Sequence, residues 1–249
     1  MSCGCIRRTT YAPYSVTMTS WNAMQHSCPC SLSMEGPPCD IHADFQALMG
    51  GLLFLLICMC PDISYVVNRL SQHNPYLRPD HMTAARCVLQ YLKGLMNLCI
   101  HYRSSSGPLV LAAFSDSDWA GLINKISVSS YCWFYGGCLV NWGSKKQRTV
   151  ALSSTEAEYM ALMMCLQTGL WLHSSLHQLS LLFVVPIPIA GDNEGSISLA
   201  SNSSYHSRLK HIDIKYHFIC EHVESGWFSV HWIPTSDNIA DILTKPVTL

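Results

Sequence analysis

From residue 109 to residue 249, short apolar runs alternate with longer helical patterns, and this order is the strongest constraint on the fold. The run LVLAAF predicts a short buried strand that ends at Ser115 and Asp116. The runs YCWFY and CLVNW flank Gly136 and Gly137, and aromatic or branched runs around a Gly-Gly pair are typical of a β-hairpin. Three antiparallel strands are therefore expected at the start of a domain that covers residues 109–249.

The later patterns add helices and two further strands. Residues 156–179 predict one long helix, with Glu156 or Glu158 available to cap its first turn. The next segments predict a strand, a short helix, a second helix, a strand and a closing helix, in PIPIAGD, NEGSISLASN, KHIDIKYHFICEHVESG, WFSVHWI and NIADILTK. The order βββαβα(α)βα predicts an α/β fold with helices flanking a mixed five-stranded sheet.

Before residue 109 the chain has helical or irregular patterns. Residues 1–43 lack a sustained period, so no structure is assigned to them. Residues 44–103 predict two or three helices, and SSSGP at residues 104–108 is typical of a linker between domains. The apolar run from Ala47 to Cys60 is shorter than the roughly 20 residues that cross a bilayer, so it predicts a buried helix.

Composition narrows the class of protein. Hydrophobic residues make up 49% and charged residues 12% of the 249 residues, which excludes a disordered chain. The net charge of −1 lacks the basic signature of a typical nucleic-acid binder. The 13 cysteines lack the spacing of a disulfide framework, and the first residues lack the apolar core of a secretory signal. We therefore expect reduced thiols and an intracellular protein, cytoplasmic or nuclear.

Four acids follow predicted strand ends or helix starts: Asp116, Glu158, Asp192 and Asp241. The first three are expected at one rim of the sheet, because they end the first strand, begin the long helix and end the fourth strand. Asp241 lies in the first turn of the predicted closing helix, where an anionic side chain is favourable. A turn or helix-cap role explains each acid alone. Together they predict a site for two Mg²⁺ ions, with Mn²⁺ as a substitute.

Other polar side chains are weaker candidates. Four polar residues follow the hairpin, and contact with nucleic-acid phosphates and simple solvation explain them equally well: Lys145, Lys146, Gln147 and Arg148. The predicted nucleic-acid-binding set is Lys145, Lys146, Ser154 and Asn193. A zinc site is not expected, because no single helix face carries the four nearby zinc-type ligands, which are His211, His217, Cys220 and His222.

Seven stretches between about residue 43 and residue 246 carry a family resemblance: PDISYVVNRLSQ, AARCVLQYLKG, FSDSDWAG, NWGSKKQRTVALSSTEAEYMAL, DNEGSISLA, RLKHIDIKYHFI and NIADILTKP. In these stretches the chain resembles the end of a copia-type retrotransposon Pol polyprotein, where the reverse transcriptase region is followed by a ribonuclease H domain. The resemblance implies a ribonuclease H-like fold for residues 109–249 and a helical remnant of the reverse transcriptase connection region for residues 44–103. It also implies that the four acids bind metal and that the RNA strand of RNA–DNA hybrids is cut.

Departures from the family pattern leave alternatives open. NKISVSSYCWFYGG lacks the family's Ser-Thr-Ser-Gly-Tyr pattern, and Gly169 interrupts the long helix at a cost of about 1 kcal/mol relative to alanine. Such departures are typical of mutational drift in an unselected copy. Because the sequence contains no Tyr-x-Asp-Asp motif, residues 44–100 are not expected to synthesise DNA. The leading hypothesis is endonucleolytic hydrolysis of the RNA strand of hybrids by a two-metal mechanism. The alternatives are a catalytically degenerate module that binds nucleic acid or is inert, and a membrane-associated protein organised around residues 47–60. The leading hypothesis expects no membrane partner and leaves the oligomeric state open.

Overall fold

A computed structural model describes residues 41–102, 109–119, 121, 125–181, 184–201 and 213–244. The helices are α1 (Ile41–Cys58), α2 (Ser64–Ser71), α3 (Pro79–Gly94), α4 (Ser154–Gln178), α5 (Glu194–Ser201) and α6 (Asp213–Glu224). The strands are β1 (Leu111–Asp118), β2 (Val128–Tyr135), β3 (Cys138–Lys146), β4 (Ile187–Gly191) and β5 (Phe228–Trp232). Short 3-10 turns cover Pro61–Ile63, Thr235–Asp237 and Ile239–Leu243. The sequence predictions for residues 1–40 and for the linker at 104–108 lie outside the described residues.

The five strands form one mixed sheet in the order β3-β2-β1-β4-β5. β2 pairs with β1 and β3 in antiparallel fashion, whereas β4 is parallel to β1 and β5. Gly136 and Gly137 join β2 to β3 with φ angles of 57° and 82°. Two positive φ angles in a two-residue loop are typical of a type I′ turn, which glycine adopts without strain. The predicted α/β fold, with helices flanking a mixed five-stranded sheet, is confirmed.

The two faces of the sheet are covered by different elements. On one face, Leu111 and Trp133 belong to an apolar core that includes buried residues of α4. On the opposite face, Phe114 packs with Leu243 of the last 3-10 turn. Because side chains alternate along a strand, Asp116 is on the same face of β1 as Phe114. This acid is therefore directed towards the last 3-10 turn.

Residues 235–244, which we call the C-terminal turn, cross three strands of the sheet. Asp116, Ser130 and Ser144 lie in register on β1, β2 and β3. Ser130 Oγ donates to the carbonyl oxygen of Ala240 at 2.8 Å, and Ser144 Oγ donates to that of Leu243 at 2.7 Å. The prediction of a closing α-helix is wrong in detail, because these contacts hold residues 239–243 as a 3-10 turn across the strands. Ser130 belongs to the stretch NKISVSSYCWFYGG, which departs from the pattern of the resembled family, and these contacts give it a structural role.

Helices α1, α2 and α3 share a separate apolar core that includes Phe45, Val67 and Val88. Two hydrogen bonds connect this helical segment to β3. Asn68 Nδ2 donates to the carbonyl oxygen of Ser144 at 2.9 Å, and Trp142 Nε1 donates to that of Leu56 at 2.8 Å. The division of the chain into a helical segment and a sheet domain stays a prediction.

The prediction that the apolar run 47–60 forms a buried helix is wrong for one side of α1. Phe45 and Leu52 are buried, but Phe54 is 63% exposed and Ile57 is 72% exposed. Only one stripe of a surface helix packs against its neighbours, so an apolar composition does not make all sides buried. Among the described helices, none has the combination of length and apolar character that a membrane span requires.

The cysteines differ in their redox state. Seven of those in the described ranges are free thiols, whereas Cys87 of α3 is disulfide-bonded. The expectation of reduced thiols throughout is therefore wrong at Cys87. Spacing along the chain does not determine which sulfur atoms meet in the fold.

Gly169 lies where α4 packs closely on the sheet. A Cβ atom at this position would be 2.5 Å from Cζ2 of Trp133 and 2.9 Å from Cε1 of Phe228. Both rings are buried in the core between α4 and the sheet. The interpretation of Gly169 as drift is wrong, because the glycine permits the close approach of helix and strands.

We predict that Gly169→Ala destabilises the fold although alanine is the better helix former. Overpacking a core typically costs about 1–3 kcal/mol, whereas alanine gains about 1 kcal/mol of helix propensity. With a rigid indole at 2.5 Å, we expect the upper end of that cost and a net decrease in the free energy of unfolding of about 2 kcal/mol. Chemical denaturation measures this change.

The matched control for this prediction is Gly50→Ala in α1. A Cβ atom at Gly50 would meet no other atom within 4 Å. This variant is expected to gain about 1 kcal/mol. If both variants gained stability equally, the close approach at Gly169 would not be a constraint.

Candidate metal centre

Asp116, Glu158 and Asp192 come from three separate elements and meet at one rim of the sheet. Each offers one carboxylate oxygen, and these three oxygens lie within 4.8 Å of one another. Asp116 lies in β1, Glu158 lies in α4, and Asp192 directly follows β4. Because β4 is parallel to β1, the carboxyl ends of both strands lie at the same rim. In the part of the chain that the structure describes, these three form the one group with this spacing of metal-type ligands.

The capping of α4 decides which of its two glutamates reaches this rim. Glu156 N–H donates to Ser153 Oγ at 3.1 Å, and Glu156 Oε2 accepts from Leu152 N–H at 2.8 Å. This arrangement resembles a capping box, so Glu156 stabilises the start of the helix. Glu158 lies in the second turn of α4 instead of the predicted first turn. It is therefore available to the carboxylate group.

This arrangement strongly disfavours the ionised form of the Glu158 side chain. Burial first, and then the negative charges of Asp116 and Asp192, raise the pKa of Glu158 to about 9. The backbone N–H of Ser117 donates to Glu158 Oε1 at 3.1 Å and opposes this shift. Clustered carboxylates are relieved by a shared proton or by a cation. Three hard oxygen ligands at this spacing fit Mg²⁺ or Mn²⁺.

Asp241 lies near the group of three acids but is not a member of it. Its side chain is half-buried in the C-terminal turn. Its negative charge also raises the pKa of Glu158, after burial and the charges of Asp116 and Asp192. The structure thus brings three of the four predicted acids together and places the fourth within electrostatic range.

The C-terminal turn holds the carboxylate of Asp116 with two buried side chains. Thr244 Oγ1 donates to Asp116 Oδ2 at 2.5 Å, and Asn238 Nδ2 donates to Asp116 Oδ1 at 3.3 Å. Asn238 Nδ2 also donates to the carbonyl oxygen of Ser115 at 3.0 Å. Sequence reasoning missed both residues, because these contacts join positions 122 and 128 residues apart. Their one local signal is their place in the DNIADILTK stretch.

The side chain of Gln147 connects the start of α4 to the sheet by hydrogen bonds beside the acids. Its Nε2 atom donates to Ser129 Oγ at 2.8 Å and to the carbonyl oxygen of Ala157 at 2.9 Å. A third contact, to Ser117 Oγ, measures 3.3 Å. Ala157 and Ser117 are direct neighbours of Glu158 and Asp116. The buried glutamine therefore positions the backbone on both sides of the carboxylate group.

The four residues predicted to contact nucleic acid lie in three different parts of the fold. Lys145 is exposed and Lys146 is half-buried at the end of β3, an edge strand. Ser154 is exposed at the start of α4. Asn193 follows Asp192, and its Oδ1 accepts from Ser196 N–H at 2.9 Å, which caps α5. All four stay predictions as contacts of a nucleic acid.

The residues weighed for a zinc site have other surroundings. His222 Nδ1 lies 2.7 Å from the carbonyl oxygen of Phe218. Cys220 Sγ lies 3.7 Å from the carbonyl oxygen of Leu199. His217 is exposed, and His211 lies outside the described residues.

Two solved structures were among those similar to this chain. The crystal structure of LC11-RNase H1 in complex with an RNA/DNA hybrid has a TM-score of 0.43 and 15% sequence identity, covering 54% of this chain and 93% of that chain. The structure of the foamy viral protease-reverse transcriptase in complex with an RNA/DNA hybrid has a TM-score of 0.48 and 14% identity, covering 84% of this chain and 26% of that chain.

Sequence comparison gives stronger similarity. No family model matches the chain. It is 39% identical over 206 residues, 82% of its length, to the retrovirus-related Pol polyproteins from transposons RE1 and RE2 of Arabidopsis thaliana. It is 34% identical over 221 residues, 88% of its length, to the corresponding polyprotein from transposon TNT 1-94 of Nicotiana tabacum. The matched segment spans only 14% to 16% of these relatives. The predicted resemblance is thereby confirmed, and the chain belongs to the retrovirus-related Pol polyproteins of copia-type transposons.

Proposed function

We propose that this chain cuts the RNA strand of RNA–DNA hybrids internally, by metal-dependent hydrolysis at the sheet rim. The observation that carries this proposal is the convergence of three carboxylate oxygens within 4.8 Å from β1, α4 and the end of β4. Membership of the Pol polyprotein family supports a role in nucleic-acid processing. The mixed sheet with its acids at one rim supports assignment of that role to ribonuclease H-type chemistry.

Asp116, Glu158 and Asp192 are the proposed ligands of two Mg²⁺ ions, and Asp241 is the proposed fourth ligand. Mn²⁺ is expected to substitute. Such a pair of ions, when bound, activates an attacking water and stabilises the charge on the leaving 3′ oxygen. The chain's own groups orient the acids: Thr244 and Asn238 hold Asp116, while the backbone N–H of Ser117 holds Glu158.

Recognition of the hybrid is proposed to depend on its shape and its 2′-hydroxyl groups, because these features distinguish RNA strands without reading bases. Lys145, Lys146, Ser154 and Asn193 are the proposed contacts to its backbone. With a net charge of −1, the chain offers little long-range attraction for a polyanion. Divalent ions at the acids would remove a local source of repulsion.

A cleavage assay with three labelled substrates tests this function. The full chain is incubated with an RNA–DNA hybrid, an RNA duplex and a DNA duplex, first in Mg²⁺ and then after chelation. We expect internal cuts in the RNA strand of the hybrid alone, their loss on chelation, and their return with Mg²⁺ or Mn²⁺. A folded protein that binds the hybrid but never cuts it in either ion would instead be a degenerate binding module.

A further prediction concerns the hydroxyl group of Thr244 and its effect on metal binding. Thr244→Val removes the hydroxyl group that donates to Asp116 Oδ2 at 2.5 Å. We expect metal affinity to fall by roughly 10- to 100-fold, the range found when a residue that orients a metal ligand is lost. Calorimetric titration of the nucleic-acid-free protein with Mn²⁺ measures this affinity.

Thr244→Ser is the matched control, because serine retains the hydroxyl group. Its Mn²⁺ affinity should stay close to that of the wild type. If the valine and serine variants bound Mn²⁺ equally, the hydroxyl group would have no positioning role. Thermal denaturation of both variants separates this effect from a loss of folding.

A further inference from the structure

Two exposed tryptophans lie beside the carboxylate group. Trp119 follows β1 and is 49% exposed, and Trp232 ends β5 and is also 49% exposed. Large apolar side chains grouped on a surface commonly mark an interaction site. We propose that Trp119 and Trp232, the rim tryptophans, form an aromatic contact surface for the sugar and base faces of the nucleic-acid substrate. This inference rests on the proposed function and adds residues that bind the substrate outside the acids.

Trp232 is joined directly to the carboxylate group. Its indole Nε1 donates to the backbone carbonyl oxygen of Asp192 at 3.0 Å. Trp232 is also in register with Gly191, the last residue of β4. The ring therefore lies one strand beyond Asp192 along the same rim.

Trp119 lies on the α4 side of the same acids. It is three residues after Asp116, and its indole Nε1 donates to the carbonyl oxygen of Ala151 at 3.3 Å. Ala151 belongs to the loop that leads into α4, the helix that carries Glu158. β5 is two strands from β1, so roughly 10 Å separates their backbones. A duplex strand that passes over the acids is thus within reach of both rings.

The hydrogen bonds of the two indoles prepare the rings for binding. Each N–H group already has a backbone acceptor, so the polar atom of the ring is satisfied while its apolar faces stay exposed. A fixed ring loses little conformational entropy when a ligand packs against it. These two side chains therefore present preformed apolar surface to the substrate.

Aromatic contact suits this particular rim because its charges are negative. Three carboxylates lie there, and the whole chain has a net charge of −1. The proposed cationic contacts, Lys145 and Lys146, lie at the end of the edge strand β3, on the opposite side of β1 from β5. Stacking or edge contact with sugars and bases requires no positive charge and tolerates any base sequence. The wide, shallow minor groove of an A-like duplex leaves its sugar edges accessible to such rings.

A binding experiment compares the rim tryptophans with a matched exposed tryptophan. Trp171 is 60% exposed on α4, and it is 13 residues after Glu158. This separation corresponds to about 20 Å along the helix axis. Fluorescence anisotropy of a labelled RNA–DNA hybrid is recorded in Ca²⁺, which suits oxygen ligands, and a gel checks that the hybrid stays intact.

We expect Trp119→Ala and Trp232→Ala each to weaken hybrid binding roughly tenfold or more. Trp171→Ala should bind as the wild type does. Trp119→Phe should retain most of the affinity, because phenylalanine keeps an aromatic face. Mn²⁺ titration without nucleic acid should give the same affinity for Trp119→Ala as for the wild type, which distinguishes substrate contact from damage to the metal centre.

Cleavage by the wild type in Mg²⁺, measured in parallel, separates failure of this inference from failure of the proposed function. If the wild type cuts the hybrid and both alanine variants bind as tightly as Trp171→Ala, the aromatic surface is refuted and the nuclease assignment stands. If the wild type neither binds nor cuts the hybrid, the proposed function fails and the inference fails with it.

Discussion

Asp192→Asn is expected to reduce hybrid cleavage by roughly a thousandfold, because metal ions contribute several kcal/mol of transition-state stabilisation and about 1.4 kcal/mol is worth a factor of ten. Asp192 supplies one of three carboxylate oxygens within 4.8 Å. Asparagine preserves the shape of the side chain but removes its charge, so the fold should survive. Single-turnover cleavage of a labelled hybrid in Mg²⁺ measures the rate.

Glu194→Gln is the matched control for this loss of charge. Glu194 lies two residues further along the chain, is exposed, and begins α5. Its variant should cleave at the wild-type rate. Equal activity of Asp192→Asn and the wild type would remove Asp192 from the proposed ligand set.

Asp241→Asn tests the fourth proposed ligand in the same assay. The side chain is outside the group of three oxygens, although its charge contributes to the raised pKa of Glu158. We therefore expect a smaller decrease in rate than for Asp192→Asn. A decrease of the same size would indicate that Asp241 approaches the metal in the loaded site.

In the absence of divalent ions, the free energy of unfolding is expected to fall as pH rises between about 4.5 and about 9. Burial and the neighbouring acids raise the pKa of Glu158 from 4.5 to about 9 in the folded chain. Between these values the folded state holds a proton that the unfolded state has released, so increasing pH favours unfolding. The stability contribution of this proton is fully present below pH 4.5 and is lost as pH passes through about 9.

Mg²⁺ should reverse this trend, because it binds the ionised carboxylates and stabilises the folded state by mass action. The rise in Tm on addition of Mg²⁺ is therefore expected to be larger at pH 8.5 than at pH 6. Glu158→Gln is the matched variant, since its side chain does not titrate and this part of the pH dependence should disappear. A rise in Tm that is independent of pH would mean that Glu158 does not exchange its proton for the ion.

The hairpin and the order of elements after residue 109 were predictable because their signals are local. Aromatic or branched runs around Gly136 and Gly137 predict the pairing of β2 with β3, and the structure shows this pairing with two positive φ angles in the loop. The capping of α4 was only partly predictable. Glu156 and Glu158 both suit the start of a helix, and the hydrogen bond between Glu156 and Leu152 selects the first as the cap.

The role of Gly169 in helix–sheet packing was not predictable from helix propensity. The sequence indicates only a poor helix former in a long helix, whereas the structure places Trp133 and Phe228 where a side chain would be. The exposed side of α1 is a similar case. A uniformly apolar run carries no periodic signal for which stripe packs, so its neighbours in the fold decide which residues are buried.

The sequence by itself determined the order of the strands and helices before the C-terminal turn, the four acids near their ends, and the family, because periodicity, turn residues and motifs are read along the chain. Only the tertiary structure decided which groups act on one another. The contacts of Thr244 and Asn238 with Asp116 span 128 and 122 residues, and the raised pKa of Glu158 arises from burial beside acids of other elements. Such long-range contacts and buried electrostatics depend on how elements pack, and packing leaves no local pattern in the order of residues.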